Sequence, residues 1–156
     1  LMVQTPANPG GLPKSVFDDL QAQLAASRSD FYRALPAGPF YGYNRPGAKP
    51  SEAVIQNWWR QGMMGGAKAH YDGIVAFSQT DFTEDLKKIS VPTLVMHGEA
   101  DTVIPVEAGK ALAAAIPGAK LILYPGVGHV PMEQIPDRSA SDVRAFLASL
   151  PPAPAP

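Results

Sequence analysis

Cysteine is absent from the 156 residues. Disulfides and thiolate metal sites are therefore excluded, and redox chemistry says nothing of the compartment. Histidine is scarce: there are three, none at an H-x-x-x-H spacing, so no metal site is expected. No apolar run approaches the ~20 residues that a membrane span requires. No sign of charge dominates either, since 13 Lys and Arg stand against 14 Asp and Glu, for a net charge of −1. That balance leaves no electrostatic footprint for nucleic acid or for an anionic membrane, and neither is an expected partner. The opening LMVQTPANPGG lacks a basic stretch followed by a long apolar one, so it does not read as a signal peptide. A cytoplasmic location is the expectation.

What the chain does have is apolar residue, 46% of the total, enough for a sizeable core at a one-domain length. It begins on Leu1-Met2-Val3, as though a strand had just been left, which suggests a missing upstream part. Residues 1–13 are rich in proline, glycine and asparagine and predict a loop. Val16, Phe17, Leu20 and Leu24 recur at helical spacing after Pro13, and a short helical piece is expected around Phe31 and Tyr32. Residues 36–50 are interrupted by proline and glycine and are expected to be irregular. Ser51 then fits an N-cap for a helix reaching Gly62, with Ile55, Trp58 and Trp59 inward. A further helix is expected over 67–77, with Tyr71, Ile74, Val75 and Phe77, and a helical turn from Asp81 to about Lys88.

The composition then changes. VPTLVMH at 91–97 and AKLILY at 119–124 are short apolar runs with β-branched residues, which predicts two buried parallel strands. Between them, 106–116 predicts a helix with Ala108, Leu112 and Ala115 on one face. The stretch 137–150 predicts a last helix with Val143, Phe146 and Leu147 inward, and PPAPAP an extended tail. The expected organisation is a helical region over 1–88, a β-α-β-α region over 89–150 joined by a right-handed crossover, and a tail over 151–156. Two strands are few for an independent sheet, and an apolar strand edge would be exposed.

Asp101 follows the first strand and His129 the second. The loops at the carboxyl ends of parallel strands are where catalytic residues of open α/β sheets collect. An acid followed by a histidine, each on such a loop, matches the order Ser…Asp…His of one class of serine hydrolases. A buried carboxylate would hold one imidazole nitrogen, and the other nitrogen would take a proton from a serine. Gly126 and Gly128 allow a sharp turn before His129. Glu99 is an alternative carboxylate. His97, at the strand end, reads as a packed and hydrogen-bonded residue, and His70, in a helix, as structural or solvent-facing. Glu133 reads as a hydrogen-bonding or surface residue behind the histidine loop. Trp58, Trp59, Met63 and Met64 are candidates to line an acyl pocket, with ordinary helix core as the alternative.

VPTLVMHGEADTVIP and YPGVGHVPMEQIP resemble the last third of the α/β-hydrolases. The segment NRPGAKPSEAVIQNWWRQGMMGGAKAHYDGIVAFSQTDFTEDLKKI resembles the helical cap of the cofactor-free haloperoxidase-type esterases, also called non-haem chloroperoxidases or arylesterases. TPANPGGLPKSVFDDL is similar to the lead into that cap. The resemblance spans about residues 1–150. It implies an α/β fold, here a helical cap followed by the C-terminal β-α-β-α part of an α/β-hydrolase. It also implies hydrolysis of carboxylic esters by a Ser-His-Asp triad, formation of peracids from hydrogen peroxide, and no cofactor. By that match Asp101 is the acid and His129 the base. The nucleophile elbow G-x-S-x-G is not in the chain: no serine has a glycine two residues away on both sides. The expectation is a C-terminal portion that carries acid, base and lid, inactive alone, with a small ester as substrate once a serine is supplied. The rival expectation is a non-catalytic half-domain that forms a homo-oligomer through its exposed strand edge. A third is a dyad that activates water.

Overall fold

The computed structural model describes residues 2–6 and 8–151; the expected tail falls outside them beyond Pro151. The chain divides into two compact units, Leu1–Asp85 and Leu86–Pro156. The division falls where composition turns from helix-and-loop to strand-forming.

The first unit holds helices α1 (Lys14–Ala26), α2 (Arg28–Ala37), α3 (Glu52–Met64) and α4 (Ala67–Gln79), and α5 (Thr83–Leu86) lies at the division. Pro13 is the N-cap of α1 rather than its first helical residue. Ser27 caps α2, its hydroxyl accepting from Asp30 N–H, and Ser51 caps α3 by accepting from Val54 N–H. These caps satisfy amides that a helix start leaves without partners. α2 continues through Pro36, contrary to the irregular segment expected from position 36. The proline stands one residue before the last helical residue, Ala37, so that few turns follow it, and its ring is fully buried. Phe17, Leu24, Phe31, Tyr32 and Ile74 form the core with Val3, and Trp58, Trp59 and Met63 pack against it. The chain start is held by backbone: Met2 and Val3 N–H both donate to Ser78 O, at 2.8 and 2.9 Å.

The second unit contains β1 (Leu94–Gly98), α6 (Val106–Ala115), β2 (Lys120–Tyr124), α7 (Pro131–Gln134) and α8 (Pro136–Ala148). β1 and β2 pair in parallel, with Leu94 opposite Lys120 and Gly98 opposite Tyr124. The strands were expected to be buried, yet only Val95, Gly98 and Tyr124 are. Two strands offer too little area to cover both faces. The same shortage corrects α8: Val143 and Leu147, expected inward, are exposed at 39% and 59%. On α6 the expected face of Ala108, Leu112 and Ala115 is also wrong. Ala108 and Leu112 are exposed, and Gly109 is the buried residue of the helix. There the helix packs against the side chain of His97, and a Cβ would stand 2.6 Å from its Nδ1. α7 was not expected; it is one short turn that begins at Pro131.

Candidate active site

Asp101 lies on the loop after β1. Its Oδ1 accepts from the backbone N–H of Val103 at 2.8 Å and of Ile104 at 2.9 Å. An Asp that takes up its own following amides in this way shapes the loop locally, as an Asx turn does. The other oxygen, Oδ2, lies 2.9 Å from Nδ1 of His129. An ionised carboxylate only accepts, so Nδ1 carries the proton and Nε2 the lone pair. The Asp101 side chain is 3% exposed and the His129 side chain 25%. Burial pushes the Asp101 carboxyl up, but the bond from His129 and the two backbone amides outweigh it and leave it below its ordinary value.

The histidine loop is pinned at several points. Tyr124, the last residue of β2, donates its hydroxyl to Asp142 on α8 at 2.9 Å. Burial, then that carboxylate, push the Tyr124 phenol up to about 12. Arg138 Nε donates to the same carboxylate at 2.7 Å. Gly126 has φ +72°, a left-handed conformation that favours glycine. Val127 O accepts from Ala100 N–H at 2.9 Å, which ties the histidine loop to the aspartate loop. Gly128 N–H donates to Gln134 Oε1 of α7 at 2.9 Å.

Gly98 is the closest approach in the site. A Cβ there would stand 2.3 Å from both Val127 O and Gly128 O. These are backbone atoms and cannot swing aside. Gly98→Ala is therefore expected to drive the histidine loop away from β1, break the Ala100–Val127 bond and destabilise the protein by roughly 1–3 kcal/mol, the range for overpacking. Chemical denaturation measures the loss, and an unchanged midpoint would contradict it.

Of the residues singled out in the sequence, Asp101 and His129 are brought together. Glu99 is exposed while Asp101 holds the His129 bond. Glu133 is exposed, and its neighbour Gln134, which no pattern along the chain singles out, makes the bond behind the loop. His97 is hydrogen-bonded, with Nε2 3.0 Å from Ile104 O. His70 belongs to the first unit, where Nδ1 meets the Tyr32 hydroxyl. Trp58, Trp59, Met63 and Met64 also belong to that unit. Trp58, Trp59 and Met63 pack against its core, Trp59 Nε1 donates to Ser29 Oγ at 3.1 Å, and Met64 is 84% exposed. Among the described residues no three His, Asp or Glu side chains converge as a metal site would need, and no helix is long and apolar enough to cross a membrane.

A family model described as serine aminopeptidase, S33, matches residues 71–134. A bifunctional esterase/perhydrolase of Acinetobacter calcoaceticus is 63% identical over 96% of this chain and 54% of its own length. A non-haem haloperoxidase of Rhodococcus erythropolis is 50% identical over 96% of this chain and 55% of its own. Among solved structures, a bromoperoxidase from Bacillus anthracis superposes with a TM-score of 0.87 at 28% identity, over 95% of this chain and 54% of that one. The chain thus spans about half the length of the curated relatives it matches.

Proposed function

Since the chain belongs to the α/β-hydrolases, in the group of non-haem haloperoxidases and esterases, we propose that it supplies the acid and the base of a serine carboxylesterase. The observation that carries this reading is the 2.9 Å bond between His129 Nδ1 and the buried Asp101 carboxylate. In this mechanism His129 Nε2 takes the proton of a serine hydroxyl as the oxygen attacks the ester carbonyl. It then returns the proton to the leaving alcohol. Asp101 keeps the imidazole in the tautomer that has its lone pair on Nε2, and its charge stabilises the imidazolium formed on the way. The serine and the oxyanion hole belong to a segment outside these 156 residues, so the chain alone does not turn over esters. Perhydrolysis is the corresponding reaction with hydrogen peroxide in place of water, and it is carried here only by the name of the Acinetobacter relative. The substrate is a small ester or acyl group, and a cytoplasmic location belongs to the same reading.

The first test is incubation of the chain with a fluorophosphonate probe, read by intact mass. No adduct is expected in a folded sample, because no serine sits on an elbow. A stoichiometric adduct would mean a reactive serine within the chain and would overturn the reading. Mixing with a segment that carries the serine elbow and oxyanion hole is expected to produce ester hydrolysis that His129→Ala abolishes.

A second reading is favoured by the exposed apolar residues Val91, Val143 and Leu147 on a unit with a two-stranded sheet. In it the chain is a non-catalytic half-domain that pairs with a second copy, and its mark is a stable dimer in light scattering.

A further inference from the structure

We propose that His97 is a positioning residue for Asp101, holding closed the loop that presents the carboxylate to His129. The proposal rests on the reading of Asp101 and His129 as a catalytic acid and base.

His97 is on β1, one residue before Gly98. Its Nε2 lies 3.0 Å from Ile104 O, and a carbonyl only accepts, so Nε2 carries a proton and donates it. Ile104 is also the residue whose N–H donates to Asp101 Oδ1. One residue is thus gripped twice: its amide by the carboxylate it orients, its carbonyl by the histidine of the strand. The same Nε2 is 3.5 Å from Asp101 Oδ2, the oxygen that receives the His129 proton. The His97 N–H dipole therefore adds positive potential at the oxygen that must stay charged. From the other side the ring is held by α6. A Cβ at Gly109 would stand 2.6 Å from His97 Nδ1 and 2.8 Å from Cγ, so only glycine leaves room for the imidazole. The side chain is 12% exposed, and among the described residues its polar contacts are the Ile104 carbonyl and the Asp101 carboxylate. Among the described residues, His97 is the donor that holds Ile104 O. Without that bond the loop is free to move the amide that aligns Asp101. Groups that orient a first layer of functional side chains act in this way.

The test is NMR of the imidazole N–H protons in the 156-residue chain, which needs no turnover. The wild-type chain is expected to show the His129 Nδ1–H as a strongly downfield proton, lost in Asp101→Asn. His97→Leu is expected to lose that resonance. His97→Gln, whose amide N–H can still donate to Ile104 O, is expected to keep it. A folded His97→Leu chain that retains the resonance overturns the proposal. If that variant does not fold, the wild type decides: neutral His97 must carry its proton on Nε2, and an Nδ1–H tautomer overturns the proposal, because it cannot donate to Ile104. Absence of the downfield proton from the wild type would overturn the acid–base reading as well, whereas its retention in His97→Leu overturns the positioning role alone.

Discussion

In a protein that joins this chain to a serine-bearing segment, Asp101→Asn is expected to lower kcat about 10⁴-fold, the size seen when the acid of a serine triad is replaced by its amide. The local geometry says why the effect should be that large. Val103 and Ile104 N–H both point at Oδ1, so an asparagine must place its carbonyl there. Its NH₂ then faces His129 Nδ1, where the carboxylate stood. An amide nitrogen only donates, so Nδ1 must accept and the ring proton moves to Nε2. The nitrogen that should take the serine proton is then occupied. Steady-state kinetics on the joined protein measures the effect, and a loss below about tenfold would mean that Asp101 does not set the tautomer. The same carboxyl gives a pH expectation. Its folded-state value lies below the unfolded 3.8, so its contribution to stability is fully present above that pH. It is lost as the pH falls through the lowered value. The Asn variant should therefore lose part of the acid-induced destabilisation below pH 3.8 that the wild type shows.

Phe17→Ala is expected to cost about 3–5 kcal/mol, the range for removing a buried aromatic ring. Phe17 is 2% exposed and lies in the cluster with Leu24, Phe31, Tyr32 and Ile74. Its ring also meets that of Phe77 edge to face, with centroids 6.1 Å apart, which adds a directional contact of the kind worth about 0.5–1.5 kcal/mol. A domain is stable by only about 5–15 kcal/mol, so this loss is a large fraction. The two tryptophans of the chain are Trp58 and Trp59, both in the first unit, and their fluorescence reports on that unit. The urea midpoint by tryptophan fluorescence should fall by more than about 1 M, given typical slopes of about 1–3 kcal/mol per molar. A shift within error would mean that the cluster collapses to fill the space.

The meeting of Asp101 with His129 was legible because its signal is local and ordered. A short apolar strand, then a glycine, then Asp101; a second strand, two glycines, then His129: each half is written in consecutive residues. The parallel pairing of β1 with β2 followed from the β-α-β order, and the serine cap of α3 was equally local. The sequence alone also determined that no serine elbow lies within the chain, since that motif is a matter of consecutive residues too.

Only the tertiary structure decided which face of α6 turns inward. Counting apolar residues pointed to Leu112, but the His97 side chain of β1 comes close at Gly109, and a glycine carries no hydrophobic signal. It likewise decided that Val143 and Leu147 stay exposed, because periodicity shows that a helix has an apolar stripe and not whether this chain has the surface to cover it. The atoms that Gln134, Gly98 and His97 meet were hidden for one reason. Each acts on backbone atoms of another segment — Gly128 N–H, Val127 and Gly128 carbonyls, Ile104 carbonyl — and every residue type presents those same atoms. Which of them meet is set by how β1, the histidine loop and α6 pack, and no side-chain pattern along the chain records it.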